Sequence, residues 1–269
     1  MKYLKLNKLK LLLIKSGFHS TPSFLVIGAQ KAGTTALHDI LGTHPQITKA
    51  HRKEIHYFDN DNWYNDQNIH EYLQNFPLPF QFPFKNLCFE STPRYSYHPQ
   101  AAKRIKKAFP NIKLIMIVRE PSARAFSAWN MHHYHFDKHL YPHLHDARPF
   151  DVAIEEDLLQ VHNLEYIKHE FGYVKRGIYS NQIERYLQLF PSKQLLVLES
   201  NEVRNLTVDT QEQICHFLGV EYHQLQLKTK NKSIQKNETD YTKTLAELKS
   251  FYAPHNKELF DLLGKTYDW

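Results

Sequence analysis

The residues whose types and spacing suggest chemistry most directly lie in one run, Phe24-Leu25-Val26-Ile27-Gly28-Ala29-Gln30-Lys31-Ala32-Gly33-Thr34-Thr35-Ala36-Leu37. Gln30, Lys31, Ala32, Gly33, Thr34 and Thr35 follow an apolar run and precede a stretch with helical spacing. Unpaired N–H groups at a helix N-terminus, the positive end of the helix dipole and a lysine ammonium make such a loop an anion cradle. Gly28, Gly33 and Thr35 nearly meet the phosphate-loop pattern G-x-x-x-x-G-K-[ST], but Thr34 stands at the lysine position and Lys31 lies three residues earlier. A nucleoside triphosphatase needs that lysine on its β- and γ-phosphates. The loop is therefore read as a phosphate site without ordinary ATP chemistry.

Two further stretches carry reactive side chains. His51-Arg52-Lys53-Glu54-Ile55-His56-Tyr57-Phe58-Asp59 mixes acids, bases and aromatic rings with no clean period, so it reads as a connection across the sheet edge. By itself, Glu54 reads as a solvated carboxylate. Arg119 closes the apolar run Asn111–Val118, at the carboxyl end of an interior parallel strand, where open α/β sheets place ligands. Its guanidinium fork suits phosphate. Six histidines fall between His132 and His145, and His135 and His139 have the i,i+4 spacing of a zinc pair. Pro142 interrupts any common helix and no acidic or cysteine ligand is suitably placed, so the segment is read as a loop over the acceptor site and no metal is expected.

These motifs together resemble the sulfotransferases, in particular the heparan sulfate sulfotransferase-like domain and its bacterial relatives. The resemblance rests on the lysine-bearing phosphate loop, on Lys53-Glu54-Ile55-His56-Tyr57-Phe58, and on Arg119 with Pro121 and Ser127. It implies that the loop from Gln30 to Thr35 holds 3′-phosphoadenosine 5′-phosphosulfate, with Arg119 and Ser127 on the 3′-phosphate. Glu54 is then the general base, His56 lies near the acceptor, and Lys31 stabilises the leaving group. Lys232, in a run of four lysines between Lys228 and Lys236, would close over the donor. The implied reaction moves a sulfuryl group to a hydroxyl, less readily an amine, of a saccharide or glycan. Three features depart from the family pattern: Glu120 stands where Asn or Asp is usual, Ser91 where animal 3-O-sulfotransferases have lysine, and the run around Lys232 lacks the glycine of the family's Lys-Gly-x-x-Tyr form. The competing readings are an ATP-dependent kinase with an altered loop and a non-enzymatic module for nucleotides or polyanions.

The elements needed to position these groups are those of an α/β, three-layer P-loop-type fold, a central parallel sheet with helices on both faces. Strands are expected at Phe24–Gly28, Leu87–Glu90, Asn111–Val118 and Gln194–Glu199. Helices are expected to begin at Thr34 or Thr35, to run over Trp63–Phe76, Ala101–Phe109, Asp151–Glu170, Ile178–Phe190 and Gln211–Leu218, and to start at Pro121. With 269 residues, 42% of them hydrophobic and 23% charged, the chain can bury one large core. A formal charge of +6 favours anionic ligands, but it is too evenly spread to indicate nucleic acid, and none is expected.

The division is a basic N-terminal segment, 1–20, and one domain, 21–269. The segment's five lysines among leucines, as far as Lys15, suit a surface helix or weak peripheral contact with anionic lipid. Cys88 and Cys215 read as buried free thiols of a reducing compartment, and without a membrane anchor of the Golgi type the chain is expected to be cytoplasmic.

Overall fold

A computed structural model of the chain describes residues 2–64, 69–79, 86–163, 171–227 and 239–269. Five strands among these, β1 (Phe24–Gly28), β2 (Ile47–Lys49), β3 (Leu87–Ser91), β4 (Lys113–Val118) and β5 (Leu195–Glu199), form one sheet in the order β2-β3-β1-β4-β5. All four pairings are parallel. Parallel strands covered by helices are buried on both faces, and every residue of β1 is buried, as the continuous apolar run requires. β2 was not anticipated, because three residues are too few to show a period.

Helices flank the sheet: α1 (Lys2–Lys15), α2 (Thr34–Leu41), α3 (Ile69–Leu73), α4 (Ala101–Ala108) and α5 (Pro121–Asn130) in the first half. In the second half come α6 (Phe150–Gln160), α7 (Tyr179–Leu187), α8 (Ser200–Asn205), α9 (Val208–Leu218) and α10 (Thr242–Leu263). Beside the main core, Trp129, Phe150, Ile154, Val174 and Tyr252 build a second apolar cluster under α5, α6 and α10. The chain leaves β1 toward β2 and leaves β4 toward β5, in opposite directions along the sheet. The loops after these neighbouring strands therefore diverge and leave a crevice at their carboxyl ends.

Several local expectations are corrected. Gly33, with φ of 111°, is the N-cap of α2, and neither threonine caps it: Thr34 and Thr35 are already helical. The expected helix over Trp63–Phe76 is helical among the described residues only at Ile69–Leu73, although Tyr72 and Phe76 are buried as expected. The helix expected over Asp151–Glu170 ends at Gln160, and residues 164–170 lie outside the described residues. Glu120, a residue type that caps poorly, is the N-cap of α5: its carboxylate accepts from Ser122 N at 3.0 Å and Ala123 N at 2.7 Å, and also from the Ser122 hydroxyl. Those bonds satisfy two orphan donors of the first turn.

α1 is fastened to the body rather than lying free on it. The Lys10 ammonium donates to the carbonyls of Gln74 and Phe76, both at 2.8 Å, and Ile14 is buried. Leu9 and Leu12 remain exposed on the helix. No helix among the described residues is long and apolar enough to cross a membrane. Both cysteines are free and buried.

Candidate active site

Lys31 and Arg119 meet in the crevice between β1 and β4. Arg119 follows β4 directly and donates from Nη1 to the Lys31 carbonyl at 3.1 Å. The loop starts from a fixed point, because Ala29 N donates to Ile117 O of β4 at 2.7 Å. Its two glycines serve different purposes. A Cβ on Gly28 would stand 2.2 Å from Ser96 Oγ and 3.2 Å from the Pro93 carbonyl, so close packing requires glycine there. Gly33 has open space around it and is needed for its left-handed backbone instead.

Four non-glycine residues among those described have positive φ, and three of them are Lys31 (66°), Glu54 (57°) and His56 (59°). Such conformations cost about 1–3 kcal/mol each and persist where the surroundings impose them, often at functional sites. These three are also the residues predicted from sequence to be catalytic.

A continuous polar path joins the loop to the residues after β2. The Lys53 ammonium donates to Thr35 Oγ1 at 2.9 Å and to Glu54 Oε1 at 2.7 Å. Glu54 is held by its own N–H, which donates to Ser91 O at 3.0 Å. His56 Nε2 lies 3.7 Å from Glu54 Oε2, and His56 Nδ1 donates to Asp59 Oδ2 at 2.8 Å. Arg94 approaches the same Asp59 oxygen at 3.8 Å. Beyond His56 opens a cavity of about 640 Å³ whose wall includes Arg52, Asn62, Arg94 and Gln100.

The charges on this path follow from the geometry. His56 and Lys53 hold the Glu54 carboxyl down to about 2, against the opposing effect of its burial. Burial works against the His56 imidazolium, but hydrogen bonds to Asp59 and Glu54 overcome it and raise the group to about 9. At neutral pH the pair is therefore carboxylate and imidazolium, so His56 is a donor and not a reserve base. On the other rim, burial and then Arg119 lower Lys31, while burial and then Arg204 lower Arg119.

The remaining predicted residues fall out as follows. Gln30 is in the loop, where its Oε1 accepts from Arg176 Nη1 at 2.9 Å, and Ala32 is buried. Ser127 lies half-buried on α5, two turns beyond Pro121, and no described contact joins it to Arg119. Lys232 lies outside the described residues. The histidine segment is tied to backbone: Nδ1 of His132, His133 and His145 donates to Leu144 O, Asp146 O and Phe136 O. α5 passes into a π-helical turn, Met131–His135, that ends at Phe136, so His135 and His139 do not share a helix face. No group of three or more metal-ligating side chains occurs among the described residues.

Sequence reasoning left Lys53, Asp59, Arg94 and Arg176 without roles. Lys53 sat inside a quoted motif, and Asp59 is three residues from His56, so both carried a local signal. Arg94, in Ser91-Thr92-Pro93-Arg94-Tyr95, and Arg176, in Arg176-Gly177-Ile178-Tyr179, lie in segments that resemble the family, but their partners are distant in the chain and carry no local signal.

The model of the sulfotransferase domain family matches residues 21–269. The chain is 26% identical over 279 residues to human heparan sulfate glucosamine 3-O-sulfotransferase 5, covering 92% of this chain and 74% of that one. It is 30% identical over 275 residues to the mouse bifunctional heparan sulfate N-deacetylase/N-sulfotransferase 3, covering 91% of this chain but 30% of that longer protein. In three dimensions it superposes on a sulfotransferase from Alicyclobacillus acidocaldarius with a TM-score of 0.69 and 24% identity, over 92% of this chain and 98% of the other, which shows a common fold.

Proposed function

Since the chain belongs to the sulfotransferase domain family, we propose that it moves a sulfuryl group from 3′-phosphoadenosine 5′-phosphosulfate to a hydroxyl of a saccharide or glycan. The observation that carries this reading is the unbroken path Thr35–Lys53–Glu54–His56–Asp59, which runs from the phosphate loop to the cavity. The relatives named for heparan sulfate sulfation support a glycan acceptor, and the N-sulfotransferase among them keeps an amine as the lesser alternative.

The loop side fits an anionic nucleotide. Lys31 and Arg204 each press a like charge on Arg119, and Glu120, the carboxylate beside Arg119, is spent on capping α5. Gln30 to Thr35 would hold the 5′-phosphosulfate end, Arg119 and Ser127 the 3′-phosphate, and Lys232 would cover the donor. The bound donor supplies the sulfuryl group and a bisphosphate leaving group.

The chain's own residues do the rest. Lys31 and the loop N–H groups stabilise charge that grows on the bridging oxygen. Glu54 accepts the acceptor proton as the new O–S bond forms. With two cations against it, Glu54 is a weak base at rest. Lys53 is shared between Thr35 and Glu54, so a turn of Lys53 toward an anion in the loop removes one cation and raises the basicity of Glu54. His56, fixed by Asp59, donates toward the acceptor side.

Two peripheral properties belong to the same proposal. Exposed Leu9 and Leu12 beside exposed Lys8 and Lys15 suit weak contact with anionic lipid. The buried free thiols suit the cytoplasm.

Thermal unfolding with ligands tests the donor. Adenosine 3′,5′-bisphosphate without magnesium is expected to raise Tm more than magnesium–ATP does. A ligand at one hundred times its Kd stabilises by about 2.7 kcal/mol, a readily measured shift. Equal or better stabilisation by magnesium–ATP would overturn the reading in favour of a kinase.

A further inference from the structure

The cavity beyond His56 carries charges whose pairing limits what it can accept. Asp59, almost wholly buried, is shared by His56 at 2.8 Å and Arg94 at 3.8 Å. Asp61 is taken by Arg104 at 2.5 Å, and His98 stands 3.6 Å from it. Burial drives the His98 pKa down, so that ring adds no charge at neutral pH. The wall cations His56 and Arg94 thus already face a carboxylate of the protein.

Arg52 is the exception. It lines the cavity, is exposed, and makes no ion pair or hydrogen bond to any described residue. Beside the paired charges, the wall also holds neutral hydrogen-bonding groups, Asn60, Asn62 and Gln100. Asn60 uses its Oδ1 on the backbone N–H groups of Asn62 and Trp63, both at 3.0 Å, which leaves its amide N–H free to donate. The side-chain amides of Asn62 and Gln100 make no bond to a described residue. Amides and a carboxylate with spare lone pairs are the groups that read sugar hydroxyls.

We propose that the acceptor is a saccharide bearing a single anionic group, a carboxylate or a phosphate ester, which Arg52 anchors while Asn60, Asn62 and Gln100 read its hydroxyls. This rests on the sulfotransferase reading above and narrows it. A densely sulfated chain does not fit the same wall, because its further charges would meet Asp59 and Asp61 or have to break their pairs. An unpaired anion against a buried carboxylate is costly. The proposal makes Arg52 a specificity residue, acting on which acceptor binds rather than on the reacting atoms.

The test measures binding by calorimetry with adenosine 3′,5′-bisphosphate held saturating. The probes are cellobiose, cellobiouronic acid, cellobiose 6′-phosphate and a fully sulfated heparin tetrasaccharide. One or both singly charged disaccharides should bind about ten- to a hundredfold more tightly than cellobiose, the range of one charge-assisted bond. The tighter of the two identifies the anionic group. R52A should remove that preference and R52E should reverse it, leaving cellobiose the better ligand. Tightest binding by the heparin probe, equal affinities for neutral and singly charged sugars, or no binding of any sugar while the nucleotide still binds would each overturn the inference. Loss of the nucleotide signal itself would instead overturn the donor reading, so the two failures are distinguishable.

Discussion

The two rims of the site are charged by opposite rules. On the loop rim, burial and then Arg119 lower Lys31, burial and then Arg204 lower Arg119, and no described carboxylate is bonded to either group. On the cavity rim, Glu54 and Asp59 are each bracketed by cations, with Lys53 and His56 on the first and His56 and Arg94 on the second. The first rim leaves its like charges without a bonded carboxylate, which is what a bound anion would relieve. The second holds its two carboxylates in ion pairs beforehand, which fixes Glu54 and Asp59 in place. Lys53 touches both, through Thr35 and Glu54. A ligand on one side is therefore felt on the other through a single ammonium group.

The difference is broken most severely at Glu54. Glu54→Gln keeps shape and hydrogen-bonding length but cannot accept a proton, so turnover should fall by roughly 10²–10⁴-fold. Nucleotide affinity should stay nearly unchanged, because the loop rim is intact, and Tm should fall only by the modest share that the partly exposed Glu54 carboxylate contributes through His56 and Lys53. Steady-state rates beside calorimetry decide it; near-normal turnover would remove Glu54 from the chemistry.

Arg119→Ala attacks the other rim and should do the converse. Removing a charge-assisted bond to phosphate costs about 1.5–3 kcal/mol. Affinity for adenosine 3′,5′-bisphosphate should therefore fall about 10- to 150-fold, with a much smaller change for adenosine 5′-phosphate. Equal weakening of both nucleotides would mean that Arg119 only holds the Lys31 carbonyl in place.

The smallest effect sharpens the contrast through pH. His56 is raised in the folded state from an ordinary 6.5 to about 9, so its contribution to stability is complete below pH 6.5 and is lost as pH climbs through 9. Glu54 is depressed from 4.5 to about 2, so its contribution is present above pH 4.5 and fades as pH falls through 2. Tm should accordingly decline between pH 6.5 and 9, and His56→Gln should flatten that decline. A His56→Gln profile that keeps the full slope would place the alkaline transition elsewhere.

How much of this was legible beforehand depended on how local the cause was. The β1–loop–α2 unit was readable because strand, glycines and helix period are contiguous, and Gly42 closes α2. α5 starts at Pro121 as expected, whereas the cap of α2 falls on Gly33 rather than on a threonine. Cap choice turns on the backbone angle at one residue, which residue-type preferences alone do not settle: Gly33 is left-handed, and the extended Glu120 can fold its longer side chain back to the first turn. The Glu54–His56–Asp59 series was partly visible, since its members lie within six residues of sequence.

By itself, then, the amino-acid order determined what short-range sterics and periodicity determine: a buried parallel strand, a glycine-bounded turn into a helix, and a motif of acid and imidazole. Only the tertiary structure decided what those pieces face. Arg119 reaches Lys31 across 88 residues because β4 pairs with β1, and Arg176 reaches Gln30 across 146. The charge states of Glu54 and His56 are likewise tertiary facts, set by the partners and burial that the fold brings to them. A sequence specifies which groups can ionise. How strongly each holds its proton depends on distances of a few ångströms, and those exist only once the sheet has closed its order.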